Sequence, residues 1–157
     1  VREQIRPERG KREQGSSLFE VILALGLMAG VLGSIAGLFV LGAGGVQSGR
    51  SASAALAGAR TIMEEIEGWN VQQVYQQFGL SGTASSYLVD TRTNSYAGKW
   101  QPPLDEGLGD SHATIAIASL EPGGPPLQDS WQVSVIVTVH WREGTRDRSV
   151  RLGTVKM

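Results

Sequence analysis

Residues 18–46 hold a single charge, Glu20, in an otherwise apolar run. No Lys, Arg, Asp or His occurs from Leu18 to Val46. As a helix rising about 1.5 Å per residue, the run would reach roughly 44 Å. About 20 such residues cross the hydrocarbon core of a bilayer. A helix that is apolar all round belongs in lipid or among other helices. One carboxylate in that setting is costly, and an intramembrane charge is a functional site by default. An ordinary secretory signal has an apolar region of about 7–15 residues with a small-x-small cleavage site after it. This run is far longer and carries its acid near the start. A plain signal anchor has no use for Glu20.

The flank before the run is short and charged. It holds Arg2, Arg6, Arg9, Lys11 and Arg12 against Glu3, Glu8 and Glu13. That excess of basic residues keeps the N-terminus in the cytoplasm by the positive-inside rule and directs the rest to the far side. The flank ends Lys11-Arg12-Glu13-Gln14-Gly15, and Ser16-Ser17-Leu18-Phe19-Glu20 follows. Glycine, then Glu five residues on, then an unbroken apolar helix resembles the class III signal of type IV pilins and the pseudopilins of type II secretion. The resemblance covers roughly residues 10–46. It implies that a prepilin peptidase cuts after Gly15 on the cytoplasmic side and methylates the new N-terminus at Ser16. Phe or Met is commoner than Ser at that position in the family. Glu20 becomes the fifth mature residue and, in the family, serves subunit assembly. The resemblance also implies a single-pass protein of the bacterial inner membrane that later leaves the lipid for a pilus or pseudopilus.

The chain divides into four parts on this reading: a cleaved leader, 1–15; a transmembrane and assembly helix, 16–46; an amphipathic continuation, 47–79; and a globular part, 80–157. Of the 21 glycines, Gly26, Gly30, Gly33 and Gly37 stand at small-xxx-small spacing in the apolar helix. Helices in lipid associate by close packing, which such spacing permits. Glycine in a helix costs about 1 kcal/mol relative to alanine. The family implies partial unwinding here in some assembled filaments. Gly42, Gly44 and Gly45 are candidates for a kink at the membrane edge.

From Gln47 the pattern changes. Ala52, Ala55, Leu56, Ala59, Ile62, Met63 and Ile66 recur at steps of three and four, one face of an amphipathic helix. That face predicts packing on a sheet. The helix ends either at Gly68 or, with glycine as a C-terminal signal, at Gly79. Residues 80–112 read as turns, with Pro102-Pro103 among them, and Tyr87-Leu88-Val89 as a short strand. Ala113–Leu120 reads as a strand, closed by the Pro- and Gly-rich segment 121–126. Trp131–Trp141 is the clearest strand. Its odd residues, Trp131, Val133, Val135, Val137, Val139 and Trp141, predict one buried face. A turn over Arg142–Asp147 and a strand over Arg148–Val155 complete an antiparallel meander. The expected fold is α+β, a long N-terminal helix packed on a small antiparallel sheet, as in pilins.

The C-terminal part bears a second resemblance. Trp131-x-Val-x-Val, Trp141, a short charged turn and a last strand with Leu152-Gly153-Thr154 look like the minor pilins once called pilus-modification proteins and the I-type minor pseudopilins. Glu64-Glu65-Ile66 before Trp69-Asn70 suits the same branch. It implies a low-copy subunit at the filament tip. The partners implied are the peptidase, other pilins or pseudopilins through the N-terminal helix, the inner-membrane assembly platform, and lipid before assembly. A separate cytoplasmic ATPase would drive assembly. The alternatives are a pseudopilus subunit for secretion or DNA uptake and, in another class, a membrane-tethered binding module.

Composition and motifs speak against enzymes and nucleic-acid binding. The chain has net charge −1, and loss of a leader with two more basic than acidic residues makes the rest more acidic. Arg142, Arg146, Arg148 and Arg151 are interleaved with Glu143 and Asp147, which reads as a solvated strand edge. No cysteine is present, so no disulfide closes the C-terminal part. His112 and His140 are the two histidines, and His140 reads as a surface imidazole on the polar face of its strand. No nucleotide loop, cysteine nucleophile or metal-spaced histidine pair occurs, so neither cofactor nor metal is expected. Asp105, Glu106 and Asp110 offer carboxylate oxygens, but their spacing matches no calcium loop and they read as solvated.

Overall fold

A computed structural model describes residues 18–157. Residues up to Gly44 and residues Gly45–Met157 form separate compact units. Helix α1, Leu18–Glu67, begins in the first and ends in the second. Helical hydrogen bonding continues through Gly42, Gly44 and Gly45. In the described part of the first unit every residue is exposed.

The second unit is an α+β domain. Helix α2 is Val71–Gln77, strand β1 is Ser86–Asp90, helix α3 is Gln101–Leu108, and strands β2, β3 and β4 are Ser111–Ser119, Val133–Glu143 and Arg146–Lys156. The four strands lie in the order β1-β2-β3-β4, each antiparallel to the next. The expected meander is present, with β1 as its fourth strand. Side chains alternate across a strand. Val133, Val135, Val137 and Val139 therefore turn to one side with Ile115, Ile117 and Val89. They share a core with Ala55, Ala59, Ile62, Met63 and Ile66 of α1. The helical stripe and the alternating strand meet as their periods require. Ala52, assigned to that stripe, is exposed.

Trp131 does not belong to the buried face. It precedes β3 and is 64% exposed. Its backbone N–H donates to Glu121 Oε1 at 2.6 Å, an acceptor supplied by the Pro- and Gly-rich loop. Alternation cannot show where a strand starts, and here the ladder begins two residues later. At the other end β3 extends to Glu143 and β4 begins at Arg146, so the turn is tighter than expected. Gly144, with φ +61°, takes a left-handed conformation that suits glycine.

Helix α1 ends at the first of the two expected places. Gly68 N–H donates to Glu65 O and Trp69 N–H to Ile66 O. Asn70 then starts α2 with a capping box: its side chain accepts from Gln73 N–H at 2.8 Å, and Gln73 Oε1 accepts from Asn70 N–H at 2.9 Å. Gly79, with φ +62°, follows α2. The segment read as turns contains α3. Pro102 and Pro103 stand in its first turn, where a missing N–H costs nothing. Paired prolines therefore marked a helix start here, preceded by a 3₁₀ turn over Ala97–Trp100.

Candidate functional site

The first candidate surface is the helix over residues 18–44. Glu20 lies in its first turn. At about 100° per residue, Gly26, Gly30, Gly33 and Gly37 fall within an arc of about 60°. Glu20 lies about 110° away from the middle of that arc. Apart from the helix's own neighbouring backbone, a Cβ added to any of the four glycines would meet no atom of the described residues within 4 Å. No packing among the described residues therefore requires glycine at these positions. The arrangement is a smooth groove along one helix face, suited to close approach by another helix. Ser34 Oγ donates to Gly30 O at 2.9 Å, which satisfies the hydroxyl without a solvent partner. The helix is the one described segment long and apolar enough to cross a membrane. Gly15 and Ser16 lie outside the described residues.

A second cluster stands where α1 approaches its end in the globular unit. Glu65 accepts from Lys99 Nζ, from Tyr96 Oη at 2.7 Å and from Trp100 Nε1 at 3.1 Å. Burial pushes the Glu65 carboxyl upward, but the hydrogen bonds from Lys99 and Tyr96, the Lys99 charge and the Trp100 bond outweigh it and hold it below its usual value. Burial would lower Lys99, yet the Glu65 carboxylate keeps it above its usual value. Lys99 Nζ also lies 3.9 Å from the centre of the Tyr96 ring. Trp69, Phe78, Tyr96 and Trp100 meet edge to face at 5.4–6.2 Å. This aromatic knot fastens the end of α1 to the segment before α3. The sequence signal was the acid three residues before Gly68, but its partners lie more than thirty residues on and no local pattern announces them.

Lys156 closes the same helix end from the far end of the chain. Its ammonium donates to Ile66 O and Glu67 O, each at 2.8 Å. These are last-turn carbonyls, which lack partners within the helix. Burial pushes the ammonium below its ordinary value, with Glu67 opposing. Nothing in the sequence around Lys156 points to this role.

The residues weighed for chemistry have other partners. His112 and His140 stack across β2 and β3, with ring centres 4.8 Å apart. Both are half-buried, and His140 stands at an even position of β3, on the face away from the buried valines. Burial first, and the neighbouring His112 second, hold His140 below the usual imidazole value. Asp105 sits on α3 and accepts from Gln101 Nε2 at 2.9 Å and Ser111 Oγ at 3.3 Å. Asp110 pairs with Arg92 at 2.8 Å. Among the described residues, no three carboxylate, histidine or cysteine side chains gather as a metal site.

The structure thus brings the four glycines onto one face, sets Glu20 apart from that face, and places the polar clusters in the globular unit. No family model, curated protein or solved structure matches the chain.

Proposed function

We propose that this chain is a minor type IV pilin, a low-copy structural subunit that is cut after Gly15 and helps to start or cap a filament. One observation carries the reading. Among the described residues the apolar helix over 18–44 is exposed throughout, and its one charge lies five residues past Gly15. Its glycine face is suited to receive another helix, and the α+β unit follows it in sequence. Before assembly the helix rests in the inner membrane. Cleavage would give Ser16 a free α-amino group with a reference pKa of about 7.7–8.0, largely protonated at neutral pH. An ammonium and a carboxylate near lipid are each costly alone. Ser16 and Glu20 stand four apart, close enough to pair on one helix. In a filament Glu20 meets the amine of a neighbouring subunit and sets the axial register, while the glycine face accepts that neighbour's helix. Peptidase, assembly platform and related subunits are the partners of this scheme.

The test separates insertion from docking. Full-length chain carrying Gly26→Cys is expressed in membranes with its neighbouring prepilins, each with cysteine at the matching position. Glu20→Ala should leave insertion intact and reduce disulfide cross-linking and filament formation. Cross-linking equal to the parent would remove Glu20 from any role in register.

A further inference from the structure

We propose that the free edge of β4 is a docking edge for an extended, acidic strand of another protein. This does not depend on the filament reading. β4 is the last strand of the sheet and pairs on one side alone, with β3. Its eleven residues follow one unbroken register, from Val133 opposite Lys156 to Glu143 opposite Arg146. An edge strand presents a row of unpaired N–H and C=O groups, and proteins blunt such rows with short strands, charged side chains, proline, bulges or a covering element. β1, at the opposite edge, is five residues long. β4 contains no proline, its register has no bulge, and residues Arg146–Ser149 are all exposed; the one such device it carries is its charged side chains.

Once its ion pairs are made, the charge left over on β4 is of one sign. Arg142 pairs with Asp147 at 3.2 Å and Arg148 with Glu143 at 3.4 Å. Lys156 is turned onto the end of α1. Arg146 and Arg151 are exposed and make no ion pair among the described residues. Two copies joined edge to edge in a register centred on Arg151 would set the two Arg151 guanidiniums opposite each other, and like charges across a strand pair are unfavourable. The uncompensated charge therefore disfavours a second copy and favours carboxylates.

The side chains fix the order of the partner strand. Val155, 52% exposed, asks for an apolar neighbour, and half-buried Leu152 and Val150 ask for the same on the other face. Arg151 and Arg146 ask for acids. Gly153 leaves a gap beside Ile136, whose Cγ1 would lie 3.6 Å from an added Cβ. That is ordinary contact, so the fold itself does not demand glycine there. An aromatic side chain of the incoming strand fills such a gap beside an edge glycine. Main-chain hydrogen bonds then hold the strand, and alternate side chains give it specificity.

The probe is the peptide Val-Thr-Tyr-Val-Glu-Val-Thr-Glu-Thr-Glu, antiparallel to β4, with a control in which each Glu is Lys. Hydrogen exchange is followed by mass spectrometry on the full chain in detergent micelles. The acidic peptide should slow exchange over residues 146–156 in a saturable way, and the lysine peptide should not. Arg146→Glu with Arg151→Glu, both at exposed positions, should weaken the acidic peptide by about tenfold or more and admit the lysine peptide. No slowing at β4, equal slowing by both peptides, or slowing that grows with the protein's own concentration without peptide would each overturn the proposal.

Discussion

Replacing Glu65 with alanine tests whether the aromatic knot is held by one carboxylate. Three donors lose their acceptor. Trp100 is 5% exposed, so its indole N–H has poor access to water, and orphaning a buried donor costs about 1–3 kcal/mol. The half-buried Tyr96 hydroxyl can regain water and counts for about 1 kcal/mol. The Lys99 pair is partly exposed, with side-chain exposures of 42% and 33%, so solvent screens it to well under 1 kcal/mol. The loss is about 2–4 kcal/mol, a large share of the roughly 5–15 kcal/mol that holds a domain together. For a domain of this size that is a fall in melting temperature of about 8–16 °C. Near-UV circular dichroism of the full chain in detergent reads the aromatic packing directly, since Trp69, Tyr96 and Trp100 are all in the knot. Trp100→Phe removes the donor that Glu65→Ala would orphan. The double variant should therefore lose less than the sum of the two single losses, by about 1–3 kcal/mol. Additive losses, or a Glu65→Ala melting point within about 2 °C of the parent, would refute this account of the cluster.

Further outcomes are expected of the same unit. A Cβ at Gly58 would lie 2.6 Å from Leu104 Cδ2, so Gly58→Ile should cost about 1–3 kcal/mol in denaturant melts, and adding Leu104→Ala should cost less there than in the parent. Val137 is fully buried between Ile115 and Leu152, so Val137→Asp should abolish cooperative unfolding, whereas Trp131→Ala should stay within about 0.5 kcal/mol of the parent. Glu65 titrates below its unfolded value, so the unfolded chain takes up its proton first as pH falls. The stability it contributes is present above the ordinary carboxylate range and is lost as pH drops through its folded value. Acid melts of Glu65→Gln should therefore converge on the parent at low pH and diverge from it toward neutrality.

Periodicity made the two main elements of the core legible. Ala55, Ala59, Ile62 and Ile66 recur at helical steps, and Val133, Val135, Val137 and Val139 alternate, because each set faces one neighbour. Those patterns sufficed for an α+β meander. The ends of elements were less legible, since a ladder stops where partners run out: Trp131 continues the alternation of β3 but has no place in the strand. Residues 97–108 were missed because a short helix begun by paired prolines looks like a turn. Lys156 and Glu65 were illegible for a different reason. Their partners, Ile66 and Glu67 for one and residues 96–100 for the other, are brought close by the fold alone. The apolar helix shows the opposite case. Its glycines could be placed on one face from spacing, and the structure adds that the described residues pack nothing against that face.

The most direct measurement is the mass of the chain after co-expression with a prepilin peptidase. The account predicts loss of residues 1–15, a new N-terminus at Ser16 carrying a methyl group, and no shortening in a Gly15→Val variant, whose branched side chain crowds the peptidase. An unshortened parent chain, or a mature N-terminus at any other residue, would contradict the assignment.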